Sequence, residues 1–292
     1  MAKRYLIINA DDFGLCSASN RAVMELFESG YLKSSTIMMP CKGAEEAARF
    51  AAEHPEYAIG VHLTTTSEWD NYKWKPLTDG KTLVDENGWM WRSTEAFSKH
   101  ADLKETRAEL QAQLDKALSY GMKPSHLDNH MGSLYGNRDG RFTMLATALK
   151  FCGDHGYAFR LYKKAQKCVC PSDTPYFLLK ASTLITKTLT AKNKVIVPDY
   201  LLFPDWLQPG LRESYEHYRN VILNLWTNIP EGITETFVHP CVEDEDFKTF
   251  VRDWQDRVWE YRLMKDPVMH QALKDSNIEL ISYRDLVRMK SK

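Results

Sequence analysis

Two rhythms alternate along this chain. Compact apolar runs at 5–11, 35–40, 57–64, 124–130, 157–162, 200–203, 234–239 and 278–283 predict buried strands. Between them, apolar residues recur at helical spacing over 21–29, 44–53, 103–119, 141–153, 213–228 and 244–265. The stretch from Ser17 to Ser19 offers an N-cap before the first helix, and Gly30 a stop after it. The last helical stretch carries Phe247, Phe250, Val251, Trp254, Val258 and Tyr261 on one stripe, read as core. Strands alternating with helices predict βα units and a parallel sheet. Seven or eight such strands predict an α/β fold, a closed or partly closed (β/α) barrel, with an open doubly wound sheet as the alternative. Neither GxGxxG nor GxxxxGK follows the first strand, so the usual nucleotide-binding reason for an open sheet is missing.

Two excursions interrupt the alternation in what reads as one domain over residues 1–292. The first, 67–100, holds Trp69, Trp74, Trp89 and Trp91; the second, 163–199, is long and weakly patterned. Such lengths predict lids, interface arms or disordered segments. A hydrophobic fraction of 43% supplies a sizeable core, and a net charge of −1 gives no electrostatic case for nucleic acid or an anionic membrane, so neither is expected as a partner. Lys3 and Arg4 precede an apolar run that meets Asp11 too soon for a signal peptide or membrane span, so a cytoplasmic protein is expected. The six cysteines show no CxxC pairing, and Cys168-Val169-Cys170 alone is a weak metal signal; reduced thiols are expected.

The polar residues fall in a pattern of their own. Asp11 and Asp12 end the first strand, His62 lies near the end of the third, Arg160 of the fifth, and His239 ends the seventh; Asp205 lies just past the sixth. On the fourth, His126, Asp128 and His130 alternate. Taken singly, each has a structural explanation: a helix cap, a hydrogen-bonded core imidazole, an ion-pair partner, a turn residue. Their co-occurrence argues otherwise, because parallel barrel strands converge at their C-terminal ends, where barrel enzymes hold their chemistry. So many ionisable groups in one mouth would be costly without a compensating ion. His126, Asp128 and His130 share one side of their strand but span roughly 13 Å at about 3.3 Å per residue, too far for one ion. His130, nearest the mouth, is the ligand of choice, with Asp128 and His126 deeper as supports or substrate contacts. Asp12, His62 and His130 then form a two-histidine, one-carboxylate set that leaves coordination positions open, and these donors leave Zn, Mg, Mn, Fe, Co and Ni all eligible.

The motifs NADDFG, GVHL, SHLDNH and HP, in this order over nearly the whole chain, resemble the YdjC-like carbohydrate deacetylase family of ChbG and HpnK type. The resemblance implies a distorted (β/α) barrel related to polysaccharide deacetylases, one divalent metal ion (Mg2+ or Zn2+ first), and removal of N-acetyl groups from an amino sugar or short oligosaccharide. Carried over by position, it makes Asp12, His62 and His130 the metal ligands, Asp11 the catalytic base, His239 the catalytic acid and Arg160 a supporting residue. A homodimer is expected from the same resemblance and from the long excursions. One departure stands out: chito-oligosaccharide members continue past the fourth strand with further histidines, where this chain has Met131, Gly132 and Ser133. The metal chemistry is expected to survive this, while the sugar is left open. The tryptophans of the first excursion fit either sugar stacking or a self-packed loop or dimer contact. The alternatives carried forward are another metal-dependent barrel enzyme, a phosphoesterase or sugar isomerase, and a non-catalytic sugar-binding protein.

Overall fold

In the computed structural model, which describes residues 3–136, 142–170, 174–203 and 211–291, all eight expected strands form and every pairing between them is parallel. They are β1 (Arg4–Phe13), β2 (Ser34–Ile37), β3 (Ala58–Leu63), β4 (His126–Asn129), β5 (Ala158–Phe159), β6 (Tyr200–Leu201), β7 (Gly232–Val238) and β8 (Ile278–Leu280). Their order is β5-β4-β3-β2-β1-β7-β6, with β8 beside β1. β8 pairs with the first residues of β1, Arg4–Leu6, while β2 takes over from Asn9 onward and β7 runs alongside from Arg4 to Ala10. The far ends of this path are bridged by backbone hydrogen bonds from Phe159, Lys163 and Lys164 to Ile196 and Asp199, so the sheet curls into a distorted barrel. Helices cover its outside, which leaves Leu6, Ile7, Ala10 and Phe13 fully buried, as a parallel strand requires.

The end of β1 departs from regular strand geometry. Its register with β2 shifts between Ala10 and Phe13, and Asp12 adopts a left-handed conformation at φ 60°. Asp is among the few residues that tolerate this region. A regular strand would send Asp11 and Asp12 to opposite faces; the irregularity lets both buried carboxylates enter one site. Gly14 (φ 84°) continues the turn, where a Cβ would meet Ile37 at 2.9 Å. Asn20 pins that turn, accepting from the Gly14 N–H at 2.8 Å and donating to the Gly43 carbonyl at 3.0 Å.

Helix boundaries differ from the sequence pattern where polar residues intervene. The stretch read as one helix over 244–265 is two, Glu245–Lys248 and Trp254–Met264. Asp244 caps the first, accepting from the Phe247 N–H at 3.1 Å, and Asp253 begins the second. Phe247 and Val251 are buried as the stripe implied, while Phe250 and Trp254 lie at the edge of that cluster. The weakly patterned 163–199 segment contains a full helix, Tyr176–Asn193, and two further helices, Pro267–Asp275 and Tyr283–Lys290, flank β8. The helix expected at 141–153 is Phe142–His155, its first expected residue, Arg141, lying outside the described residues.

Candidate active site

The C-terminal ends of β1, β3 and β4 bring together Asp12, His62 and His130, all buried. Asp12 Oδ1 lies 3.5 Å from His62 Nε2 and 3.3 Å from His130 Nδ1. The outward nitrogens of both rings are engaged: His62 Nδ1 donates to Asp128 Oδ1 at 2.7 Å, and His130 Nε2 to Glu68 Oε2 at 3.0 Å. Each ring therefore turns its other nitrogen toward Asp12, the orientation that carboxylates impose on metal-ligating imidazoles. Asp12 Oδ1 is buried without a hydrogen-bond partner. An unsatisfied buried acceptor costs about 1–3 kcal/mol, more when charged. Three electron-pair donors facing one another, one of them orphaned, fit a divalent cation. Without an ion, protons must do this work. Burial pushes both imidazoles down, but Asp128 beside His62 and Glu68 beside His130 outweigh it, raising His62 and taking His130 up to about 10.

The second oxygen of Asp12 is held from outside the sheet. Arg257, on the helix Trp254–Met264, donates from Nη1 to Asp12 Oδ2 at 2.7 Å. Burial opposes ionisation of Asp12, yet Arg257 and then His130 hold its carboxyl well below the usual range. Asp11 is fixed differently. Arg160 grips it with two hydrogen bonds, both 2.6 Å, and Asn9 Nδ2 donates to its Oδ1 at 2.8 Å. Burial pushes Asp11 up, but Arg160 and His62 more than reverse this and bring it to about 2. Arg160 is itself immobilised by Glu235 at 2.7 Å and Asp128 at 2.9 Å. Asp11, Asp12 and Asp128 thus outnumber the two guanidiniums, Arg160 and Arg257, even without Glu235, whose carboxyl burial raises to about 7, an imbalance whose sign favours a cation. A second possible donor group, Asp11, His62 and Asp128, is less suited, because Arg160, Asn9, Thr36 and His62 already occupy its carboxylates.

His239 follows β7. Val238 pairs with Ala10, so His239 comes level with Asp11 on the neighbouring strand. Its backbone N–H donates to Glu260 Oε2 at 2.6 Å, and the same oxygen lies 3.8 Å from its Nδ1. Burial and Arg257 push the imidazole below its ordinary value, against the pull of Asp12 and Asp11. His126 is fully buried, stacked on Tyr283 with ring centroids 3.6 Å apart, and its Nε2 lies 3.2 Å from Asn9 Oδ1. His126 and Asp128 are thus fully buried among other polar side chains. Asp205 lies outside the described residues.

Several contributors escaped the sequence pattern. Glu235 carried a readable signal, an acid in the middle of an apolar strand. Arg257 and Glu260 did not, because their helix was read for its apolar stripe. Glu68 lies in the first excursion, next to Trp69. The tryptophans of that excursion divide. Trp74 is buried edge-on to His130 with centroids 5.9 Å apart, and the Arg257 guanidinium lies 5.5 Å from the Trp69 ring. Trp91 instead stacks on His100 within its own loop. An open cavity of about 680 Å³ lies beyond Trp74, lined by Pro40, Lys42, Tyr72, Lys75 and Trp89, a size suited to a small ligand.

A family model described as YdjC-like protein matches residues 5–275. A carbohydrate deacetylase of Geobacillus stearothermophilus is 28% identical over 290 residues, covering 98% of this chain and 99% of its own. A chitooligosaccharide deacetylase of Yersinia enterocolitica is 36% identical over 133 residues, 44% of this chain and 49% of its own. Among solved structures, a proposed cellobiose-phosphate cleavage protein of Enterococcus faecalis superposes with a TM-score of 0.75 at 24% identity, covering 98% of this chain and 99% of that one. This last likeness speaks for the fold alone.

Proposed function

The chain belongs to the YdjC-like protein family, and from that premise we propose that it is a carbohydrate deacetylase, hydrolysing the N-acetyl group of an amino sugar or short oligosaccharide with the help of one divalent ion. The observation that carries the reading is the orphaned Asp12 Oδ1 set between His62 Nε2 and His130 Nδ1, with Asp11 clamped alongside. The full-length likeness to a carbohydrate deacetylase supports the reaction class.

Asp12, His62 and His130 would hold the ion, with Arg257 fixing the other oxygen of Asp12 and Asp128 and Glu68 orienting the imidazoles. A divalent cation there supplies Lewis-acid chemistry, acidifying water and polarising the amide carbonyl oxygen, which a base held as low as Asp11 requires. Asp11 is the group placed to take the proton from the attacking water. Arg160 keeps that carboxylate ionised and stationary, and Glu235 and Asp128 keep Arg160 in place. His239, across the register from Asp11, is the proposed donor to the leaving amine. Burial and Arg257 favour its neutral form, so in this role it would take up a proton during the reaction, the one passed from the attacking water through Asp11, and hand it to the amine. Phosphoester cleavage fits less well, because Arg160 and Arg257 are already engaged by carboxylates and not free to hold a phosphate.

Acetate release from a panel of N-acetylated mono- and disaccharides tests the proposal, measured after chelation and after return of Mg2+ or Zn2+. Release that disappears on chelation and returns with metal supports it. Phosphate release from phosphorylated sugars, with no acetate from any N-acetyl substrate, would replace it.

A further inference from the structure

The helix Tyr176–Asn193 packs Tyr176, Leu179 and Leu189 on the protein but leaves other large apolar side chains outside. Its buried positions are Leu179, Thr186 and Thr190, so two of the three are polar. Its solvent side carries Phe177 (69% exposed), Leu178 (50%) and Leu184 (72%). At 100° per residue, Phe177, Ala181, Leu184 and Thr188 form one outward stripe, with Lys180 and Lys187 along its flank. Single exposed apolar residues need no explanation, but a run of them on the outer face of one helix does.

The charge around the stripe is as biased as its apolar face. From Lys163 to Asp199 the sequence has seven lysines, no arginine and two acids, Asp173 and Asp199, the latter 3.5 Å from Lys164, so the near-neutral balance of the whole chain conceals a basic segment. Among the described residues no ion pair joins Lys180, Lys187 or Lys192 to a carboxylate. We propose that this helix docks the protein on an anionic lipid surface, its Phe and Leu side chains entering the headgroup boundary and its lysines meeting the lipid charge.

Two alternatives fit less well. Protein interfaces favour Arg, Tyr and Trp and are depleted in Lys, whereas unpaired lysines beside exposed apolar side chains suit an anionic headgroup layer. A second copy of this chain, packed antiparallel on the stripe through a two-fold axis perpendicular to the helix, would set Lys180 and Lys187 against their own kind. The proposal does not rest on the deacetylase reading, and it revises the expectation, drawn from net charge alone, that membranes are not partners.

The test is co-sedimentation of the full chain with vesicles of phosphatidylcholine, with and without phosphatidylglycerol. Binding is expected to the anionic vesicles only and to fall with added salt. Lys180→Glu/Lys187→Glu is expected to cut the partition coefficient by at least about fivefold per lysine, taking about 1 kcal/mol for each. Phe177→Ser/Leu184→Ser should abolish binding, while both variants keep the wild-type circular dichroism and activity on soluble substrate. Absence of binding, equal binding to both vesicle types, or wild-type binding by both variants would each overturn the proposal. So would a dimer in free solution that the Phe177→Ser/Leu184→Ser variant dissociates, since the stripe would then be a self-association surface.

Discussion

Arg257 holds one oxygen of Asp12, at 2.7 Å, and leaves the other to His62 and His130. This division would make Asp12 a one-oxygen donor to a bound ion, its second oxygen being paired with a buried guanidinium. Removing that guanidinium leaves a buried carboxylate without its strongest partner. Arg257→Met is therefore expected to destabilise the chelator-treated protein by about 3–5 kcal/mol, read from urea unfolding. Saturating metal should recover part of that loss, because a ligand that binds only the folded state stabilises it. A loss below about 1 kcal/mol, the range of a surface pair, would show that the pair is not what holds Asp12.

Asp128 sets the orientation of His62 through the 2.7 Å hydrogen bond to Nδ1. Asp128→Asn keeps the shape but removes the charge that favours the Nδ1–H form. Metal affinity, measured by competition with a chromogenic chelator, is expected to fall about 10–100-fold with little change in the circular dichroism spectrum. Unchanged affinity would mean that the ring is oriented by packing alone.

His126 predicts a pH effect on stability. Burial and then Arg160 hold its imidazole well below the ordinary range. As pH falls below the unfolded value of about 6.5, the unfolded chain binds the proton and the folded chain does not. Stability from this group is thus full above about pH 6.5 and is lost as pH falls toward the folded value. His62 and His130 act with the opposite sign, so the comparison must be with a His126→Gln variant. The wild type is expected to lose up to about 1.4 kcal/mol more per pH unit than the variant below pH ~6. Parallel stability curves would show that His126 is not buried neutral.

His239 is the proposed proton donor to the leaving amine. His239→Gln is expected to lower kcat by about 10²–10⁴-fold with metal content unchanged. Solvent-exchange or chelation measurements should show the ion in place. A rate within a few-fold of wild type would remove His239 from this role.

What could be read from the sequence, and what could not, follows from how each residue meets its neighbours. Asp11, Asp12, His62, His130, Arg160 and His239 were legible because each ends, or nearly ends, an apolar run, and a parallel barrel gathers such ends on one face. The left-handed turn at Asp12 was not legible, although it is what lets two adjacent aspartates share a site. Arg257 and Glu260 reach the site from a helix, where a charged residue is ordinary and raises no signal. The helix Tyr176–Asn193 was missed because two of its buried positions are the threonines Thr186 and Thr190 while Phe177, Leu178 and Leu184 face outward, which blurs the pattern by which helices are recognised.

The central claim is that Asp11 and Asp12, neighbours in sequence, do different work: one holds an ion and the other moves a proton. The most direct measurement is metal content and acetate release in the pair Asp11→Asn and Asp12→Asn, each dialysed against the same metal and assayed on the same N-acetyl sugar. Asp12→Asn should lose both bound metal and turnover, whereas Asp11→Asn should retain metal near the wild-type level and lose turnover by at least about 10²-fold. Full turnover in Asp11→Asn, or equal metal loss in the two variants, would contradict the account.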